Sequence, residues 1–271
     1  MERQKMKTKE ALKNIRLFLF DMDGTLYLGD NLFSFTIELL DTIKSVGGRY
    51  MFMTNNSSKS VADYIKKLKK LGIESCYDDF ITSSQATAFY LKKYHKNAKL
   101  YVCGTESLKE ELRSGGFIVT EELSEVDVIV MGNDNELTFK KLEDVCKLLL
   151  ARDLPYIATN PDYVCPTEFG SVPDCGSVCD MIYNCTKKRP IFIGKPEALM
   201  PSLAMEMAGI DKEHTAVIGD RIYTDVKSGL NAGALAVLVM SGETTEEILA
   251  ESADKPDLVL SDCSEITKII K

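Results

Sequence analysis

The sequence predicts an α/β protein built on a parallel sheet. Short apolar runs alternate with amphipathic stretches of helical spacing through most of the 271 residues, the pattern of strand–helix–strand units. Leu17-Phe18-Leu19-Phe20 is apolar at every position, as a strand covered on both faces must be. Clusters of Asp, Thr, Asn and Lys stand directly after several such runs, where open parallel sheets bind their ligands.

After the strand at 17–20 comes Asp21-Met22-Asp23-Gly24-Thr25, then a helix expected over 33–45 and closed by Gly47-Gly48. The strand at 50–53 ends in Thr54-Asn55-Asn56, and Ser57 or Ser58 can cap the next helix. Val61, Tyr64, Leu68 and Leu71 of that helix make one apolar stripe, which is core packing. Residues 79–82 read as a short strand and 84–94 as a helix. A second alternating series follows, with strands at 100–103, 126–131 and 156–158 and helices at 107–113 and 138–152. Residues 160–177 are rich in Pro, Gly, Asp and Cys. They read as a loop longer than a connection requires, and such loops often carry function. The first pattern resumes at 191–193, which leads into Gly194-Lys195-Pro196. A helix at 197–208, a strand at 216–218 ending in Gly219-Asp220, and strands at 236–239 and 258–260 complete the chain. The expected organisation is a sheet domain at 1–83 and 191–271, interrupted by an inserted α/β unit at 84–190.

Apolar residues make up 45% and charged residues 27%, ordinary values for a globular protein. The net charge of −8 argues against general binding of nucleic-acid polymers, which needs a basic face. A small anionic substrate remains compatible, because a metal and one lysine reverse the local sign. No apolar stretch approaches the roughly 18 residues of a membrane span. Residues 1–16 carry lysines but no apolar segment or cleavage site of a signal peptide. A cytoplasmic protein with reduced thiols is therefore expected, away from any membrane. Of the eight cysteines, Cys165, Cys175, Cys179 and Cys185 lie close together, but they form no CxxC pair and zinc is the weaker reading. His95 and His214 have no matching partners in the sequence and receive no role.

Two carboxylates two residues apart, at Asp21 and Asp23, are costly at a buried strand end unless a cation shares the site. Oxygen-only ligands favour a hard ion, Mg²⁺ first. Gly24 and Thr25 let the chain turn sharply and offer backbone N–H groups to an anion, although an Asx turn uses the same residue types. Thr54-Asn55, Lys195, and Asp220 with Asp225 stand at three further strand ends. Each alone is compatible with turn or cap chemistry. Together they make one coherent site for metal-assisted phosphoryl transfer, which depends on positioning and charge neutralisation. Asp21 is the expected nucleophile, forming an aspartyl-phosphate, and Asp23 the general acid and base. Thr54 would hydrogen-bond the phosphoryl group, and Lys195 would hold it and orient Asp21. Asp21 and Asp220 would supply carboxylate oxygens to Mg²⁺, with Asp225 reaching the metal shell through a water or as a second ligand.

Four segments, Asp21-Met22-Asp23-Gly24-Thr25-Leu26, Thr54-Asn55-Asn56, Gly194-Lys195-Pro196 and Gly219-Asp220-Arg221-Ile222-Tyr223-Thr224-Asp225, resemble in order the four motifs of the haloacid dehalogenase (HAD) superfamily phosphatases. Thr54-Asn55-Asn56-Ser57, the insertion after it, and Thr159-Asn160-Pro161-Asp162 are similar to the NagD-like branch, with its 4-nitrophenyl phosphatase and phosphoglycolate phosphatase relatives. The likeness runs from Leu17 to about Leu260. It implies a Rossmann-like parallel-sheet core with a large α/β cap inserted after the second motif. It also implies that the backbone carbonyl of Asp23 binds Mg²⁺ and that Asp220 and Asp225 are the fourth-motif acids. Relatives often dimerise through the cap, so a homodimer is an expectation of the resemblance alone.

In such relatives the cap closes over the core and reads the leaving portion of the substrate. Asn160, Asp162, Gly176 and Ser177 are therefore grouped with the substrate-binding residues, together with Gly24 and Asn56 of the strand-end motifs, whereas Asn55 is grouped with the catalytic residues. The turn Asp174-Cys175-Gly176-Ser177 is a specificity candidate. Asp162 either hydrogen-bonds substrate hydroxyls or braces its loop. Tyr163 and Phe169 either stack on a ring or pack on the cap, and Lys187-Lys188-Arg189 reads as a solvated hinge. The expected activity is Mg²⁺-dependent hydrolysis of a sugar phosphate, nucleotide, phosphoglycolate or aryl phosphate. A phosphomutase and a non-catalytic phosphate-binding regulator are the alternatives.

Overall fold

A computed structural model describes residues 8–167 and 169–271. Residues 1–7 of the expected core and Glu168 of the expected loop lie outside the described residues. The described chain divides into two compact units. One comprises the chain up to Thr54 with Ile65–Ile81 and Lys195–Lys271, the other Asn55–Tyr64 with Thr82–Gly194.

The first unit is organised by a six-stranded sheet in the order Leu258–Leu260, Leu235–Val239, Thr215–Gly219, Leu17–Phe20, Arg49–Thr54, Phe80–Thr82. Leu17–Phe20 pairs in parallel on both sides, Leu17 with Thr215 and with Arg49. Its four side chains are fully buried, and each contributes about 1.5–3 kcal/mol by leaving water. The helices Thr36–Ser45, Leu199–Ala208, Lys227–Ala232 and Ser264–Ile270 connect or follow the strands. From the strand Leu17–Phe20 the chain proceeds to one side of the sheet, whereas Thr215–Gly219 leads to the other. That reversal opens a crevice at the carboxyl ends of these two neighbouring strands.

A five-stranded parallel sheet forms the second unit, in the order Ile191–Phe192, Tyr156–Ala158, Val128–Met131, Lys99–Cys103, Ile118–Val119. Its core joins Tyr101, Ile129 and Met131 to Val145 and Leu148 of the helix Phe139–Ala151, and to Val178, Cys179 and Ile182 of the helix Cys175–Thr186. Thr138 and Asp174 cap these two helices, accepting from Lys141 N and Cys175 N, as short oxygen-bearing side chains do at N-termini.

Three expectations change. Ile191–Phe192 joins the second sheet through Tyr156–Ala158 rather than opening the return to the core, because a two-residue apolar strand carries no signal of which sheet it will join. Residues 55–64, placed with the core by sequence, group with the second unit. The stretch 160–177 is not all loop. Val164–Thr167 and Gly170–Pro173 form an antiparallel hairpin, and the expected turn at Asp174 is the N-cap and first turn of a helix. Cys, Gly and Ser are weak helix formers, so that start was hidden.

Glu111, on the helix Glu106–Ser114 of the second unit, has both carboxylate oxygens buried with no hydrogen-bond partner among the described residues. Burial pushes its pKa up from 4.5 to about 7. The folded state holds this proton more tightly than the unfolded chain, so stability falls as pH rises from the unfolded value through about 7. The loss is at most on the order of 3 kcal/mol. We expect Glu111→Gln to raise the melting temperature relative to wild type by more at pH 8 than at pH 5. Equal differences at both pH values would show that the buried carboxylate does not control this dependence.

Candidate active site

Asp21 directly follows the strand Leu17–Phe20, and its N–H continues the ladder by donating to Ile218 O at 2.8 Å. Asp220 follows the neighbouring strand Thr215–Gly219. The two carboxylates therefore flank the crevice. Asp225 comes from the wide helical turn Ile222–Val226 and is fully buried. Asp21, Asp220 and Asp225 each offer one oxygen, and these atoms all lie within 4.8 Å of one another. Lys195 enters the same cluster. Its Nζ donates to Asp21 Oδ1 and Asp225 Oδ1, both at 2.6 Å, and to Met53 O at 3.3 Å.

This packing sets the ionisation of the site. Burial, with the charges of Asp21 and Asp225, pushes Asp220 up to about 7. Burial also raises Asp225, to about 6, against the pull of Lys195. Desolvation alone would lower Lys195, but Asp21 and Asp225 more than offset it and keep the ammonium above its ordinary range. Asp23 is exposed, yet partial desolvation, aided by the charge of Asp21, raises its pKa against Lys67 and Arg221. Lys67 itself lies 4.1 Å from the centroid of the Tyr27 ring, a cation–π distance. Thr54 closes the strand Arg49–Thr54 and is buried.

One contributing segment was missed by the sequence reading: residues 241–244, which follow the strand Leu235–Val239. Glu243 N donates to Asp220 Oδ2 at 2.7 Å, Thr244 Oγ1 to Asp220 O at 2.5 Å, and Ser241 Oγ to Gly24 O at 2.7 Å. A Cβ on Gly242 would lie 2.1 Å from Asp220 Oδ2, and one on Gly24 2.5 Å from the same atom. Gly24 also has φ +81°, a conformation that favours glycine. Glu243 pairs with Arg221 Nε at 2.8 Å and accepts from Tyr223 OH at 2.7 Å. The available signal was Ser241-Gly242 just past an apolar strand, the same kind of punctuation as Gly24 after Asp23.

The remaining candidates belong to the second unit, where their side chains engage one another. Asn55 Nδ2 donates to Asp162 Oδ1 and Oδ2 at 3.2 and 3.1 Å. Asn56 Oδ1 accepts from Ser58 N and Oγ at 2.8 and 2.7 Å, a local Asx turn. Asp174 accepts from Asn160 Nδ2 and Asn133 Nδ2, both at 3.1 Å, and from Cys175 N at 2.5 Å. Ser57 Oγ lies 2.9 Å from Thr159 Oγ1. Gly176 packs on the backbone of Pro161, with no room for a side chain, and Ser177 Oγ donates to Tyr163 O at 2.5 Å. Asn160, Ser177 and Asp162, expected among the substrate-binding residues, each make hydrogen bonds within this unit.

The other singled-out groups are local. All eight cysteines are free thiols, and the buried pair Cys175 and Cys179 lies 4.0 Å apart on one helix. Tyr163 and Phe169 are exposed. Lys188 and Arg189 pair with Asp153 and Asp180, as a solvated run would. His214 does have a partner, Asp211, 2.6 Å away and three residues earlier. Among the described residues no helix is long and apolar enough to cross a membrane.

Comparison with known proteins gives the same outline. A family model described as haloacid dehalogenase-like hydrolase matches residues 18–118, and one described as HAD-hydrolase-like matches 192–266. An acid sugar phosphatase of Staphylococcus haemolyticus is 32% identical over 251 residues, which cover 93% of this chain and 95% of that protein. The 5′-nucleotidase YutF of Bacillus subtilis is 33% identical over 254 residues, covering 94% and 98%. The crystal structure of a 4-nitrophenylphosphatase from Thermotoga maritima matches with a TM-score of 0.93 at 40% identity, covering 96% of this chain and 99% of that one. With likeness of this extent, the chain belongs to the haloacid dehalogenase-like hydrolases and is a phosphatase of that family.

Proposed function

We propose that the protein hydrolyses small phosphomonoesters with Mg²⁺, through an aspartyl-phosphate on Asp21. The observation that carries this reading is the buried Lys195 ammonium, held at 2.6 Å by both Asp21 and Asp225 beside the third carboxylate, Asp220. Such an arrangement orients Asp21 as a nucleophile.

The donor set suits a hard divalent cation. Three carboxylates converge, and Asp220 Oδ1 is buried without a hydrogen-bond partner among the described residues, so an acceptor lone pair stands ready for a ligand bond. Asp21, Asp220, Asp225 and the backbone carbonyl of Asp23 are the residues that would hold Mg²⁺. Once bound, the ion neutralises charge on the phosphoryl oxygens. The protein's own groups do the rest. Asp21 attacks phosphorus as the bond to the leaving oxygen breaks, and Asp23 gives that oxygen a proton. Asp23 then takes a proton from water, which attacks the aspartyl-phosphate and restores the Asp21 carboxylate while releasing phosphate. Thr54 and Lys195 hold the phosphoryl group in place.

The second unit is proposed as the cap that selects the leaving group. The names of the relatives point to sugar phosphates, nucleoside monophosphates and aryl phosphates as the panel to try. A phosphomutase would return phosphorylated isomers in place of inorganic phosphate, so the product distinguishes the two readings.

Asp21→Asn should lower phosphate release from every ester by about a thousandfold or more while leaving the melting temperature near that of wild type. Retention of a tenth of the wild-type rate would rule out the aspartyl-phosphate route. EDTA should abolish wild-type release and added Mg²⁺ restore it. Gly242→Ala places a methyl group against Asp220 Oδ2, so the Mg²⁺ concentration for half-maximal rate should rise about tenfold, about 1.4 kcal/mol. An unchanged metal titration in that variant would remove Asp220 from the metal site.

A further inference from the structure

Asp162 is almost fully buried, 8% exposed, as is Asn55 at 5%. Burying a carboxylate is costly unless hydrogen bonds satisfy it. Here both oxygens accept from Asn55 Nδ2. That pairing fixes which way the Asn55 amide faces, because a flipped amide would set its own oxygen against the carboxylate. Asn55 is held on two more sides. Its backbone carbonyl accepts from Ser83 Oγ at 2.6 Å, and its Oδ1 lies against Gly194, where a Cβ would stand 2.5 Å from it.

Asp162 is itself firmly mounted. Its carbonyl accepts from Gly176 N at 2.8 Å at the start of the helix Cys175–Thr186. Nearby, Gly194 N donates to Thr159 O at 2.8 Å. Asn55 directly follows Thr54 in the chain, and Gly194 directly precedes Lys195. One carboxylate thus fixes the residue bonded to the proposed phosphoryl-binding threonine, and the amide it orients packs on the residue bonded to the proposed active-site lysine.

We propose that Asp162 is a positioning residue for phosphoryl transfer: by orienting Asn55 against Gly194 it sets the two peptide links that carry Thr54 and Lys195, and it does not read the leaving group. This inference rests on the phosphomonoester hydrolase reading. A displacement on the order of 1 Å at such groups is enough to slow chemistry strongly. A residue acting in this way changes kcat by the same factor whatever the leaving group, whereas one touching the leaving group changes the order of substrates.

The test compares wild type, Asp162→Leu, Asp162→Asn, Asn55→Ala and the Asn55→Ala/Asp162→Leu double variant. Values of kcat and KM are measured on an aryl phosphate, a hexose phosphate and a nucleoside monophosphate. Asp162→Leu should lose about tenfold or more in kcat equally on all three, with KM within about threefold. Asp162→Asn keeps one acceptor oxygen for Asn55 Nδ2 and should recover most of that loss. If Asp162→Leu does not fold, Asn55→Ala should show the same uniform loss in kcat. The double variant should be no slower than the slower single one, as expected for residues acting as a unit. Unchanged kcat, a loss confined to the hydroxyl-bearing substrates, or additive losses in the double variant would each overturn the positioning role. Wild type releasing phosphate from none of the esters would overturn the hydrolase reading itself, an outcome distinct from active wild type with an undiminished Asp162→Leu.

Discussion

The burial of Lys195 between Asp21 and Asp225 is the interaction on which the rest of the site depends. Three carboxylates brought this close repel one another, and removal from water adds to the cost. Burial first, and then the charges of neighbouring aspartates, hold Asp220 and Asp225 well above ordinary carboxylates. The excess negative charge is what makes the cluster fit for a divalent cation and, with it, for an anionic substrate. The net charge of the chain is −8, so attraction of phosphate has to be local.

That concentration of charge needs a backbone that can approach closely. Gly24 and Gly242 let two loops close on Asp220 Oδ2, and Glu243 N satisfies the oxygen that results. The carboxylate is thereby held by one oxygen while the other, buried, has no hydrogen-bond partner among the described residues. An acid fixed in this way loses little conformational freedom when it takes a ligand, the general advantage of preorganisation. Arg221, tied to Glu243, adds a held positive charge next to the acidic cluster.

Polar side chains play a different part in the second unit. Asn133, Asn160 and Asp174 form one buried cluster, Ser57 and Thr159 another contact, and Asn55 with Asp162 a third. Each of these named side chains has its partner, which is the condition under which such networks rigidify a structure and do not weaken it. Rigidity here falls on the segment directly after Thr54 and on the one directly before Lys195.

Much of the fold and of the charged centre was legible in the chain. Leu17–Phe20 with Asp21 after it, Thr54 at a strand end, and Gly219-Asp220 were readable because a buried parallel strand is a continuous apolar run and its ligand-bearing residues come directly after it. What the sequence could not decide was which residues face one another. Ile191–Phe192 is too short to declare its sheet, and Asp174 looks the same as a turn residue or a helix cap. Residues 241–244 gain their role only by folding back onto Asp220. Asn55 and Asp162 are 107 positions apart, and no local periodicity links them. By itself the sequence determined the strands, their polar ends and hence the reaction chemistry, since these depend on neighbours along the chain. Only the tertiary structure decided which polar side chains stay available for chemistry and which are engaged in holding the others, because hydrogen-bond partners are settled by packing across the fold.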